Sequence, residues 1–298
     1  MSEKFILHML TPLKHMSPFD VNMALDAGYD AVAPYPGVTL NEVAPLVQDA
    51  IFSRPPKLGV RTGIFIAGKD AILALDMLKA AKAAQTPPFE VSLFADPAGS
   101  FTTAAAMIAC VERLLKERKQ RSLRGLSLAI FGATGVVGFS SAVIAAREGA
   151  NVTLVGHDGV ERVARSAAEI MRRFQLQVAV ADGASEDKKM AVLHESEAVL
   201  CAGRAGVRIL SRAQISSAKS LLVAADVNAV PPSGVEGLDV MANGVELTPG
   251  GALGLGPLAI GNIKYRTESG LFKAMIAASK PVCFDFQDAF ALARELNA

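Results

Sequence analysis

Cysteine, histidine and net charge are all scarce in this chain. Its 298 residues include three cysteines, Cys110, Cys201 and Cys283, far apart and in apolar surroundings. No pair has metal-ligand spacing and no disulfide framework is expected, so all three read as small buried hydrophobes. The four histidines form no H-x-x-x-H or HExxH pattern, no G-x-S-x-G nucleophile motif occurs, and no Asp/Glu cluster suits Mg²⁺. No metal is therefore expected. A formal net charge of +1 gives no general pull toward nucleic acid or an anionic membrane. The basic run KERKQRSLRG has no interleaved aromatics and reads as a solvated helix end and linker. No apolar run approaches the roughly 18 residues of a bilayer span, and MSEKFILHML lacks a signal peptide's apolar core and cleavage site. A soluble cytoplasmic protein is expected, binding neither nucleic acid nor membrane.

What the chain does have is apolar residues, 51% of the total, enough for a large core and two domains. Short β-branched runs alternate with helical patterns, which implies an α/β class with mainly parallel sheets. KFILHML, AVAPY, RTGIFIAG and FEVSLFADP read as strands. Helical segments separate them, the first with Ser17 as N-cap and Pro18 in its first turn. After the basic linker come LSLAIFG, ANVTLVG, LQVAVAD, EAVLCAG and SLLVAAD, five expected parallel strands of a Rossmann-type domain. The tail LFKAMIAAS…FDFQDAFALAREL reads as helical and as returning to the first domain. The expected division is an α/β substrate domain of residues 1–115 with about 268–298, and a nucleotide domain of residues 116–267.

The strand LAIF runs into Gly132, and Gly132, Gly135 and Gly138 form a G-x-x-G-x-x-G turn that opens the helix FSSAVIAARE. The first glycine permits a tight turn, the second lets the backbone approach a pyrophosphate, and the third permits close helix–strand packing. Backbone N–H groups of Thr134, Gly135, Val136 and Val137 are then expected at the phosphates, aided by the helix dipole. A strand before the turn and a helix after it are the context that makes this pattern a dinucleotide site.

The second strand ends in Gly156, His157 and Asp158, with Arg162 and Arg165 one or two turns on. Asp158 is suited either to bonding ribose hydroxyls or to capping the next helix, and His157 either to facing a phosphate or to an exposed loop. With neither an acid nor an arginine dominating, use of both NAD and NADP is expected. CAGRAG, with Ala202 and Gly203, and AADVNAVPP, with Asp226 and Asn228, lie at expected carboxyl ends of strands and so on the nicotinamide side. Asn228 suits either a carboxamide or its own turn. GGALGLGPLAIGN reads as a glycine-rich loop, either close to the cofactor or a plain connection.

FADPAGSFTTAAA, GATGVVG, AADVNAVPP and GALGLGPLAIGNIKY, with ILHMLTPLKHMSPFDVNMALDAGYD and VRTGIFIAGKDAILALD, resemble the bacterial methylene-tetrahydromethanopterin dehydrogenase family over nearly the whole chain. The resemblance implies that methylene-tetrahydromethanopterin is oxidised to the methenyl form by direct hydride transfer to NAD(P)⁺, in one-carbon metabolism and the formaldehyde oxidation of methylotrophs. The product cation is shared by two nitrogens, so no catalytic acid or base is expected and positioning suffices. A homo-oligomer is the expected assembly. The NADP-only branch of the family, which also uses tetrahydrofolate, has an arginine where this chain has His157; that departure favours dual cofactor use. The pterin side is expected at Asp96, Ser100, Thr102 and Thr103, with Lys14, His15 and Asp20 near the same sheet edge. The active site is expected in the cleft between the domains, with the reacting carbons about 3–3.5 Å apart. A tetrahydrofolate dehydrogenase and a non-catalytic dinucleotide sensor are the alternatives.

Overall fold

The computed structural model describes residues 3–298. The chain forms two compact units. The first runs to Thr102 and includes Tyr265–Leu292; the second comprises Thr103–Lys264 and Ala293–Ala298.

In chain order the first unit begins β1 (Ile6–Thr11), α1 (Pro18–Ala27), β2 (Ala31–Pro36), α2 (Leu40–Phe52), β3 (Thr62–Ile66), α3 (Ala71–Ala83) and β4 (Ser92–Ala95). Ser17 caps α1 by accepting from Asp20 N at 3.5 Å, with Pro18 in the first turn. β3 and β4 are buried along their whole length, as continuous apolar runs demand when helices cover both faces. Phe65, Phe94 and Phe272 meet at ring-centroid distances of 5.2–5.3 Å in the centre of this unit.

α4 (Ser100–Lys119) leads to the second unit, with β5 (Ser127–Phe131), α5 (Val136–Arg147), β6 (Asn151–Gly156), α6 (Glu161–Phe174), β7 (Ala179–Asp182), α7 (Glu186–His194), β8 (Ala198–Cys201), α8 (Arg212–Ser217), β9 (Val223–Asp226), β10 (Asn243–Glu246) and β11 (Leu253–Leu255). α9 (Pro257–Ala277), β12 (Cys283–Phe284) and α10 (Phe286–Leu296) complete the chain.

The first sheet has the order β12-β4-β3-β1-β2 and is parallel throughout. Its chain order reverses at β1, between β2 and β3, and a crevice at such a reversal is where open α/β sheets bind ligands. The second sheet has the order β10-β11-β9-β8-β5-β6-β7, with all five expected strands parallel and only β10 antiparallel. Its reversal lies at β5, between β6 and β8.

Four expectations need correction. GGALGLGPLAIGN is not a loop: Leu253–Leu255 pairs with β9, and Pro257 starts α9. A Cβ at Gly256 would sit 2.6 Å from the Val240 carbonyl, so this glycine serves packing within the protein. The tail is not wholly helical, since β12 pairs with β4. The basic linker is not merely solvated: Arg121 pairs with both oxygens of Glu197, at 2.8 and 2.9 Å, and Lys119 bonds the Gly251 carbonyl. Finally, one helix among the described residues, Pro97–Lys119, is long and apolar enough to cross a membrane, but 72% of its apolar 18-residue stretch is buried inside the protein.

Candidate active site

The glycine turn sits at the β5 reversal. Gly132 has φ +83°, and a Cβ there would strike the Ala202 carbonyl and lie 2.5 Å from Gly203 N. Gly138 would put a Cβ 2.5 Å from the Gly132 carbonyl and 2.7 Å from the Ala133 Cα. These two glycines are thus required by neighbouring backbone. Gly135 differs: its nearest contact would be Gly132 O at 3.4 Å, its φ is −81°, and it is exposed. Within the chain, nothing forbids a side chain there. Gly135 is also the N-cap of α5, and no side chain caps the helix. The N–H groups that head α5, at Val136 and Val137, are left for an outside acceptor.

A cavity of about 500 Å³ opens in front of this turn. Gly132, Thr134, Gly135, Ala202 and Gly203 line it, as do His157, Arg162, Lys189, Arg204 and Arg208. No carboxylate lines it among the described residues. A glycine cradle at a helix N-terminus, ringed by cations, fits a pyrophosphate. Lys189, Arg204 and Arg208 were not singled out from sequence. Arg204 lies inside the CAGRAG motif; the other two come from α7 and the approach to α8, which only the fold brings here.

At the end of β6, Gly156 and Gly159 make a tight turn that a Cβ at Gly156 would prevent, since it would strike the Gly159 carbonyl. His157 and Asp158 are pushed outward, their side chains 78% and 47% exposed. Asp158 does not cap α6, whose N-cap is Val160. It contacts Arg162 Nη1 at 3.4 Å and His157 Nδ1 at 3.7 Å, while Arg162 Nη2 reaches Thr134 Oγ1 at 3.5 Å. The arginine and the histidine line the cavity and the acid does not.

Asp226 and Asn228, expected beside the nicotinamide, are instead engaged in shaping the loop that carries them. The buried Asp226 carboxylate accepts from Asn228 N at 2.9 Å, Gly234 N at 2.6 Å and Val235 N at 3.2 Å. Burial raises its pKa, against the lowering effect of these three donors. Asn228 Oδ1 accepts from Gly206 N at 3.2 Å and Val230 N at 2.9 Å, and its amide donates to the Pro232 carbonyl at 2.9 Å. It therefore ties together the loops after β8 and β9, which is the turn role.

In the first unit, the loops after β1, β3 and β4 converge. A Cβ on Gly68 would lie 3.4 Å from Pro12 and 4.0 Å from Pro97. Lys14 and His15 are exposed in the first loop. Lys69, also exposed, stands in the second and was not singled out, although GKD directly after a strand marks the place. Asp96, in the third loop, and Thr102, in the first turn of α4, face inward, contrary to their expected contact with substrate. Asp96 Oδ1 accepts from Phe101 N at 2.8 Å and Thr102 N at 3.3 Å, and Oδ2 from Thr102 Oγ1 at 2.5 Å. These contacts hold the first turn of α4. Asp20 is buried in α1. Ser100 and Thr103 remain half-buried. Ala98 has φ 55° and ψ 34°, a left-handed conformation that costs a non-glycine residue about 1–2 kcal/mol. Such strain clusters at ligand sites.

Residues 18–98 match the family model "Methylene-tetrahydromethanopterin dehydrogenase, N-terminal". The NAD(P)-dependent methylenetetrahydromethanopterin dehydrogenase of Methylorubrum extorquens is 54% identical over 291 residues, 98% of each chain. The "Bifunctional protein MdtA" of the same organism is 31% identical over 280 residues, 94% of each. Among solved structures, shikimate 5-dehydrogenase from Listeria monocytogenes has a TM-score of 0.51 at 14% identity, covering 98% of this chain and 96% of that one; this likeness concerns the fold alone. With more than half of its residues shared end to end with a curated member, the chain belongs to the NAD(P)-dependent methylenetetrahydromethanopterin dehydrogenase family.

Proposed function

We infer that this chain oxidises methylene-tetrahydromethanopterin to methenyl-tetrahydromethanopterin, with NAD⁺ or NADP⁺ as acceptor. The carrying observation is the cationic, glycine-lined cavity at the β5 reversal of a chain 54% identical to a dehydrogenase of that name. When bound, the nicotinamide ring supplies the carbon that accepts a hydride. The C–H bond of the methylene group breaks with its electron pair, and the remaining cation is shared by the two flanking nitrogens. No proton moves, so no acid or base is required.

The chain's own residues bind and orient. Gly135 and the N–H groups heading α5 receive the pyrophosphate, with Arg204 and Lys189 adding positive charge. We assign the pterin to the first unit, which contains the whole family-model match. Ser100, Lys14 and His15 are its accessible polar groups near the β1–β4 loop ends, and Lys69 joins them. We also infer a role in one-carbon metabolism and formaldehyde oxidation, a cytoplasmic location and a homo-oligomeric assembly.

The test is spectroscopic. Purified protein is mixed with methylene-tetrahydromethanopterin and NAD⁺ or NADP⁺, and reduced nicotinamide and methenyl product should appear together, one for one. Turnover with methylene-tetrahydrofolate alone, or nucleotide binding without turnover, would overturn the assignment.

A further inference from the structure

We propose that Arg162 is the 2′-phosphate contact of bound NADP and that its loose ion pair with Asp158 is what lets one site take both nucleotides. The proposal rests on the dinucleotide reading above and goes beyond it. The carboxyl end of the second Rossmann strand, here β6, is where the adenosine ribose lies. An acid there favours the free ribose hydroxyls of NAD, and an arginine favours the phosphate of NADP. This chain places one of each at that point, joined to each other.

The geometry makes the pair exchangeable. Arg162 to Asp158 is 3.4 Å, well beyond the 2.7–2.9 Å typical of charge-assisted bonds. Their side chains are 51% and 47% exposed, so solvent screens what attraction remains. The second bond of Arg162, to Thr134 Oγ1, is 3.5 Å. Arg162 already lines the cavity and bridges from α6 to the glycine turn, and Asp158, half-exposed, stands beside the lining in contact with both Arg162 and His157. With NADP, the guanidinium turns from Asp158 to the phosphate, exchanging one carboxylate partner for a doubly charged one. With NAD, Arg162 stays with Asp158 Oδ2, and Oδ1 accepts from the ribose. His157, 3.7 Å from the same carboxylate and 78% exposed, is a lesser partner in either state.

The test is calorimetric titration of NAD⁺ and NADP⁺ into wild type, Arg162→Gln and Asp158→Asn, with circular dichroism confirming that each variant is folded. Arg162→Gln should weaken NADP⁺ by about tenfold or more, and leave NAD⁺ within about threefold. Asp158→Asn should weaken NAD⁺ and leave NADP⁺ as tight or tighter, because Arg162 is released. The ³¹P resonance of bound NADP⁺ should titrate at lower pH in wild type than in Arg162→Gln. Equal weakening of both nucleotides by Arg162→Gln, or an unchanged ratio, overturns the proposal while leaving the dinucleotide site in place. A wild-type protein that binds neither nucleotide overturns both.

Discussion

Replacing Gly135 and Gly138 separately by alanine divides the glycine turn into a part the protein needs and a part the ligand needs. At Gly138 the new methyl would lie 2.5 Å from Gly132 O and 2.7 Å from Ala133 Cα. Both are backbone atoms in a turn already fixed by Gly132, so relief requires moving α5 off the sheet. Overpacking of this kind costs about 3 kcal/mol or more, and the melting temperature should fall by about 6–12 °C in a chain of this size. At Gly135 the methyl meets Gly132 O at 3.4 Å and Ala202 O at 4.0 Å, with φ already negative. Alanine is a poorer N-cap than glycine, but it also restricts the unfolded chain, and the net should lie within about 1 kcal/mol. The methyl instead occupies the position a pyrophosphate would take against the helix start, so affinity for NAD⁺ and NADP⁺ should drop together by about a hundredfold, the equivalent of roughly 2.7 kcal/mol. Differential scanning calorimetry and nucleotide titration on the same samples measure both quantities. A Gly135→Ala protein that binds nucleotide like the wild type would refute the placement of the pyrophosphate at this turn. A Gly138→Ala protein with unchanged melting would refute the steric argument.

Three further outcomes follow from the titratable and cavity-lining side chains. His8, 3.1 Å from the Tyr35 hydroxyl, has its pKa lowered from 6.5 by burial and then by the nearby charge of Arg54. The unfolded chain therefore binds the extra proton first, and stability falls as pH drops through and below about 6.5. Denaturant unfolding at about pH 7.5 and about pH 5.5 should show wild type losing more stability than His8→Gln; equal losses would exclude His8. Burial, reinforced by Asp285 and Asp288 and opposed by Lys82, raises the Cys283 thiol to about 11. Only about 0.1% is thiolate at pH 8, so alkylation followed by mass spectrometry should accelerate about tenfold per pH unit, and a plateau below about pH 9 would contradict the burial argument. His157→Arg adds a cation at the mouth of the cavity and should raise the NADP/NAD ratio of kcat/KM by up to about fivefold, the worth of an exposed ion pair. An unchanged ratio would place His157 away from the 2′-phosphate.

The elements legible in the sequence were those whose signal is local. Thr62–Ile66 and Ser92–Ala95 announce themselves as buried parallel strands, and the Gly138 spacing records a steric contact with Gly132 and Ala133 in the same turn. What escaped depends on distant backbone. β12 is two residues long and is held by Leu93 N bonding Val282 O at 2.7 Å and by Val282 N bonding Ser92 Oγ at 3.2 Å, across a separation of 190 residues. β11 is a strand because β9 lies beside it, although its glycines read as a loop. The site residues divide along the same line. Acids at strand ends look alike in sequence whether they face a ligand or their own loop, and the difference lies in which donors return to them. Backbone N–H groups come back to Asp96 within six residues and to Asp226 within nine, so each carboxylate becomes an internal acceptor that holds a loop or a helix start. A guanidinium returns to Asp158 one helical turn on, at half-exposed side chains and 3.4 Å. That carboxylate stays in a pair that a ligand can enter, which is why we place nucleotide choice at the end of β6 and not at the end of β4 or β9.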